Sequence, residues 1–348
     1  MKYLEQKKKL RYALLIILII AATLGLIAKN NATTKSYSES HIMMDTLIEI
    51  TAYGPKREEA VQAAFDEFRR MESICDRFNP NSQVAKINEM AGIQKVTVDP
   101  DLIAMINHSI ELSKKLDGSF DITVGALTDL WGIGHKDNFV PTQAEIDAVL
   151  PLVDYRLIEV DSVNNTVYLP KKGMKIDLGG VAKGYSINKA SEALASFQIK
   201  SALINDGGDI RVIGNKPDGT PFRIGVQDPR KSDGMIATIP MLECDTLATS
   251  GDYQRFFEKD GIRYSHIIDP KTGKQPRAIA SVTLVYKDSN VISDIPSLGM
   301  FVLGVEKGIE ALKEFPGIEA MFVTTDGKII VTPGLEGKID IHSSANGE

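Results

Sequence analysis

Apolar residues recur at helical spacing from Arg57 to Phe78, where Ala60, Ala64, Phe65, Phe68, Met71 and Ile74 fall on one face. Asp101 to Leu116 repeats the pattern, and Pro141 to Val149 is a shorter helix in which Thr142 followed by Glu145 forms a capping box. Thr46 to Tyr53 alternates apolar and polar, the signature of a strand with one face buried. Leu157–Val160 and Thr166–Leu169 read as a hairpin around Asn164-Asn165. A helix is expected over Tyr185–Phe197, followed by strands at Ser201–Asn205, Asp209–Ile213, Phe222–Val226, Ala237–Pro240 and Leu247–Thr249. A strand at Ala280–Tyr286, helices at Asp294–Leu303 and Glu306–Phe315 and a strand at Ala320–Thr324 complete the pattern. There is no internal repeat, and helices and strands mix without strict alternation, so the expected class is α+β (mixed α/β).

The first 35 residues break this pattern. Lys2, Lys7, Lys8, Lys9 and Arg11 precede an apolar run of 16 residues, Ala13 to Ala28. That length is near the lower limit for crossing a bilayer, and the cationic flank favours the cytoplasmic side. Residues 1–35 are therefore expected to be an N-terminal membrane anchor, with a cleaved signal peptide and a secreted product as the alternative. Either way the body of the chain lies outside the cytoplasm. Residues 36–40 read as the end of a polar linker, 41–340 as one large domain and 341–348 as a tail. Residues 1–35 carry a net charge of +6 against −6 for the whole chain, which leaves −12 on residues 36–348 and argues against a nucleic-acid partner. The two cysteines, Cys75 and Cys244, have no metal-type spacing; a disulfide and two buried thiols are both compatible with the sequence.

Five segments can carry chemistry. Lys175–Tyr185 runs from an extended stretch through Gly179-Gly180 into a helix start, a junction where backbone N–H groups can approach phosphate. Its spacing fits neither a Walker loop nor G-x-G-x-x-G. Gly118–Gly125 leads into Trp131; Asp121 suits a turn or cap, and Phe120 and Trp131 are candidates for packing on a flat ring. Asn205–Asp209 contains two glycines between acids and reads as a tight turn. In Tyr264–Gly273, His266 precedes an Asp-Pro-Lys-Thr-Gly turn, as a core histidine or as a general base or orienting group. Asp294 starts an apolar helix, as its N-cap or as a ligand for a hard cation.

Taken in order, Gly118–Gly125, Asp177–Tyr185, Tyr264–Gly273 and Asp294–Gly304, with Met44-Asp45-Thr46 and Arg77–Asn88, resemble the ApbE family of FAD:protein FMN transferases over roughly residues 41–340. The resemblance implies that family's fold and an Mg²⁺-dependent transfer of FMN from FAD to a Thr or Ser hydroxyl of an acceptor protein, with AMP as leaving group. The implied partners are extracytoplasmic flavoproteins such as subunits of membrane redox complexes. It further implies that the main-chain carbonyl of Ala182 and the carboxylate of Asp294 hold the metal, and that Met44, Phe78, Ser119, Phe120, Asp121, Gly179, Tyr185 and Ile267 line the FAD site. His266 matches a position linked to catalysis, and Lys183 is either a phosphate contact or a solvated lysine. Two positions depart from the pattern. Leu298 stands where a metal-binding Thr is common, so its own carbonyl, the Ser297 hydroxyl or water would complete the metal's ligands. Phe78 stands where a Tyr is common, which keeps stacking and loses a hydroxyl. The alternatives are an FAD pyrophosphatase using the same metal site with water as nucleophile, and a non-catalytic flavin-binding protein.

Overall fold

The computed structural model describes residues 34–241, 246–286 and 295–342. Its frame is an eight-stranded sheet in which every neighbouring pair is antiparallel. Across the sheet the strands run Ser36–Met43, Thr46–Tyr53, Ser201–Asp206, Asp209–Ile213, Thr246–Gly251, Ile279–Tyr286, Ile318–Thr324 and Ile329–Val331. One face carries the helices. Arg57–Cys75 and Ala182–Ser196 pack on Ile48, Ile50, Ala202 and Ile204, while Pro100–Lys115 and Ile295–Ala311 cover Val282, Leu284, Ala320 and Phe322. The other face is covered around Val212, Val285 and Val323 by a small sheet of Arg223–Gln227, Met235–Pro240 and Asp340–Ile341. With both faces covered, Ile279–Tyr286 is buried at all eight positions and is apolar apart from Ser281 and Thr283.

The expected elements are present with shifted ends. The first helix stops at Cys75, because Asp76 leaves helical geometry, and the third carries the full capping box at Thr142 and Glu145. The Ala182–Ser196 helix begins three residues earlier than expected. The two helices expected over Asp294–Phe315 form one span, Ile295–Ala311, broken at Gly304 (φ 73°, ψ −169°) and followed by a short 3-10 turn. Residues 36–40 are a correction: they belong to the edge strand Ser36–Met43, paired in register with Thr46–Tyr53. The ribbon Phe256–Lys259 with Ile262–Ser265 was not anticipated either, and His266 follows it rather than sitting inside a strand. Cys75 is a free, buried thiol, pushed up to about 12 by burial. Cys244, Asp294 and the membrane-anchor segment up to Thr33 lie outside the described residues.

Candidate active site

The glycine turn at Asp177–Gly180 forms the floor of a cleft of about 480 Å³, and other parts of the chain hold it in place. Asn88 pairs its amide with the backbone of Ile176 in both directions, at 2.9 and 2.7 Å. The Ile122 carbonyl accepts from the Asp177 N–H at 2.7 Å, and the Gly125 N–H donates to the Lys175 carbonyl at 3.1 Å. A Cβ on Gly125 would lie 2.7 Å from that carbonyl oxygen, so only glycine lets the two segments run this close. The buried Arg77 guanidinium donates to Thr128 Oγ1 at 2.8 Å, to the Gly125 carbonyl at 3.1 Å and to Asp177 at 3.0 Å, and also pairs with Asp129. Asp177 in turn accepts from the Gly179 N–H at 3.0 Å. A side chain on Gly180 would collide with Leu298 and touch Phe120. The Ala182–Ser196 helix then starts with no side chain capping it; the Ala182 N–H donates to the Leu178 carbonyl at 2.8 Å, which leaves the Lys183 and Gly184 N–H groups and the positive end of the dipole facing outward.

The walls come from four other places. Met44 and Asp45 form a two-residue turn, both at positive φ, and the Met44 N–H donates to Glu72 at 2.6 Å. Phe78 stands on the rim at 58% exposure, its ring 4.9 Å from His135 and 4.9 Å from the Arg77 guanidinium carbon. Ser119, Phe120 and Asp121 line the interior. The Ser119 hydroxyl is buried without a hydrogen-bond partner. Asp121 is a turn organiser, accepting from Thr123 N–H and Oγ1 and from Tyr155 N–H, and burial raises its carboxyl. Leu298, Val302, Ser250 and Lys183 also line it. Of the two readings of Lys183, the structure favours a position on the cleft.

His266 lies on the same cleft with Ile267. Its Nδ1 is 3.3 Å from the Arg255 carbonyl, which can only accept, so Nδ1 carries the proton and Nε2 keeps a free lone pair. Burial lowers the imidazole to about 4, with Arg255 and Lys183 pushing the same way. The ring is neutral at physiological pH, as a proton acceptor must be.

Two expected positions are corrected. Tyr185 is not among the cleft-lining residues. Its hydroxyl donates to Asp101 at 2.6 Å, and Lys189 sits 5.5 Å above its ring, so it braces its helix against Pro100–Lys115. Trp131 is buried in a satellite core with Leu127, Ile146 and Ile268, and its indole N–H donates to the Gly273 carbonyl at 2.8 Å; it is not available to pack on a bound ring. Met44, Phe78, Ser119, Phe120, Asp121, Gly179, Ala182, His266, Ile267 and Leu298 all line the one cleft. Sequence reasoning passed over Arg77 as a clamp and Asp209 as a lining residue. The signal for Asp209 was visible: two acids across a two-residue glycine turn, in strands otherwise mostly apolar.

A nucleotide-sized cleft with a glycine turn at an uncapped helix start, a lysine and a neutral histidine defines an enzyme that handles phosphate groups. The chain belongs to the ApbE family, whose model matches residues 44–322. A Klebsiella pneumoniae (strain 342) protein named FAD:protein FMN transferase is 34% identical, covering 85% of this chain and 92% of that one. A Treponema pallidum (strain Nichols) protein of the same name is 29% identical over 89% and 90%. Among solved structures, the ApbE protein of Thermotoga maritima superposes with a TM-score of 0.80 at 33% identity, covering 87% of this chain and 98% of that one. The flavin transferase ApbE of Vibrio cholerae does so with a TM-score of 0.77 at 25% identity and the same coverage.

Proposed function

We propose that this protein transfers FMN from FAD to a Thr or Ser hydroxyl of an acceptor flavoprotein, with AMP leaving, and that it works outside the cytoplasm on a membrane anchor formed by residues 1–35. The observation that carries the reading is the convergence of the four body segments on one cleft, with the unpartnered Ser119 hydroxyl available to the polar edge of a bound ring. Phe78 on the rim offers a stacking face. The uncapped helix start and Lys183 suit the diphosphate.

The donor chemistry also fits Mg²⁺, which prefers oxygen ligands. Ala182 and Ser250 both line the cleft, and the Ala182 carbonyl also accepts from the Ser186 hydroxyl at 2.7 Å. Ala182 and Asp294 would hold the ion, and the Ser297 hydroxyl, next to Leu298 in sequence and 2.8 Å from the Ser250 hydroxyl, would be a further oxygen. Bound there, Mg²⁺ would supply charge neutralisation on the diphosphate. The acceptor hydroxyl forms the new bond to the FMN phosphorus, the bond to the AMP oxygen breaks, and His266 Nε2 accepts the hydroxyl proton. Arg77, through Asp177, keeps the glycine turn in register for this geometry.

The test is the intact mass of an extracytoplasmic acceptor incubated with the protein, FAD and Mg²⁺. A gain of one phosphoester-linked FMN, lost with Asp294→Ala, is expected. Free FMN and AMP without labelling of any acceptor would instead establish a pyrophosphatase.

A further inference from the structure

The hairpin of Ser201–Asp206 and Asp209–Ile213 closes on Gly207-Gly208, both at positive φ, so Asp206 and Asp209 are direct cross-strand partners. Opposed residues project from the same face of a sheet. Asp206 is fully buried, and neither of its carboxyl oxygens has a hydrogen-bond partner. Asp209 lines the cleft and accepts only one long bond, from the Thr249 N–H at 3.3 Å. The turn lies close against the neighbouring strand, since a side chain on Gly207 would collide with Thr46. Two underbonded carboxyls thus sit beneath the phosphate end of the proposed nucleotide site, and the proposed use of that site gives them no role.

We propose that Asp206 and Asp209 act as one protonatable pair that positions the Lys183 ammonium on the cleft and takes up a proton when the diphosphate of FAD binds. The proposal rests on the flavin-nucleotide reading above.

The groups facing the pair support this. Lys183, on the first turn of its helix, lowers both carboxyls and makes no ion pair within 4 Å among the described residues, so it acts as a nearby cation free to turn to an incoming anion. On the opposite side Asp206 is flanked by the apolar Ile48. Tyr253, past the next strand, is half-buried, and desolvation, then Asp252 and Asp209, push its hydroxyl up to about 12, so it remains a neutral phenol. Arg211, on the same face two residues beyond Asp209, turns to Asn188 at 2.9 Å. His266 also senses Lys183 and stays neutral. Burial raises Asp206 to about 7 and Asp209 to about 6, and Asp209 pushes Asp206 further up. Near pH 7 the pair therefore holds part of a proton and part of a charge, with Lys183 as counter-ion. On protein already loaded with Mg²⁺, a diphosphate arriving at Lys183 adds negative charge to the same region and takes over part of that counter-ion. The proton affinity of the pair must then rise, and by linkage protons must favour the nucleotide. The diphosphate diester of FAD has no group titrating in this range, so the proton taken up is the protein's.

Calorimetric titration of FAD into the full-length chain with Mg²⁺, in two buffers of different ionisation heat near pH 7, reads the proton directly. Wild type should take up a fraction of a proton per FAD and bind FAD severalfold more tightly at pH 6 than at pH 8, within the limit of about tenfold per pH unit that one proton allows. Asp206→Asn and Asp209→Asn should each remove most of the uptake, and Asp209→Glu should restore part of it. Lys183→Gln, which leaves the buried pair intact, should move the uptake to higher pH. FAD binding with no proton uptake in wild type, or unchanged uptake in both Asn variants (as through His135, which also lines the cleft), would overturn the pair while leaving the flavin site standing. No FAD binding at any pH would remove the flavin reading and the pair with it.

Discussion

At the scale of single residues, the charge state of His266 decides how the site can work. The Arg255 carbonyl fixes the proton on Nδ1, and burial holds the ring at about 4 where an unperturbed imidazole titrates at about 6.5. Because the folded value is depressed, the neutral ring persists down to that lower value, and its base function is lost only as pH falls through about 4. The expected result is a kcat, at saturating FAD and acceptor, with no acid limb centred near 6.5. A limb at that ordinary value, abolished in His266→Asn, would show a solvated imidazole instead. The Asn variant should lose about 10²–10⁴-fold in kcat if the ring is the base. The same shift makes His266 a source of acid lability: the unfolded chain binds a proton between about 6.5 and about 4 that the folded chain excludes, so this contribution to stability falls as pH drops across that window. Asp206 and Asp209 have the opposite sign. Their raised values mean the folded chain holds protons the unfolded chain has released, so their contribution weakens as pH rises toward 7.

At the scale of elements, the glycine turn depends on partners far away in sequence. Arg77 is a largely buried cation with four acceptors around the turn, and its removal leaves Asp177 without its counter-charge, while Asp129 keeps Lys175 at 2.5 Å. Arg77→Ala should cost about 1–3 kcal/mol in urea unfolding, the range for losing hydrogen bonds to partly exposed charged groups. Gly125→Ala should cost about 1–3 kcal/mol by forcing its segment off Lys175, and should weaken FAD binding because Ser119–Asp121 would move with it. Unchanged stability and affinity in the Gly125→Ala variant would mean the two segments can separate freely. These dependencies explain what the sequence could disclose. The capping box at Thr142 and Glu145 is local and was legible, as was the period of Arg57–Cys75, and the glycine turn was visible as a strand-to-helix junction. The facing of Tyr185 was not, because Asp101 decides it from another helix, and Trp131 was committed to Gly273 by a contact across more than a hundred residues. The ribbon at Phe256–Ser265 escaped notice because an exposed two-stranded ribbon imposes no single buried face on its residues.

At the scale of the whole molecule, the boundary between the N-terminal segment and the body is set by the sheet. A reading by composition puts the polar residues through Ser40 in a linker, since an edge strand with its outer side in solvent keeps polar residues at most positions. The structure gives those residues a different role. Tyr37 packs against the cluster of Ile48, Ile50 and Phe65, His41 meets the Phe65 ring edge-on at 4.5 Å, and Met43 is buried. The strand also leads directly into the Met44-Asp45 turn that forms one wall of the cleft. Truncation should therefore separate two functions that the sequence places side by side. A chain beginning at Thr34 should keep the melting temperature and FAD affinity of the full protein while leaving the membrane fraction. A chain beginning at Met44, which still contains the whole family match, should lose stability measurably, leave Thr46–Tyr53 as the exposed edge of the sheet and weaken FAD binding through Met44. Equal melting temperatures and FAD affinities for the two truncated chains would show that the edge strand contributes nothing to the cleft. A chain from Thr34 that stays with membranes would place the attachment in the body, where no described helix is long and apolar enough to cross a bilayer.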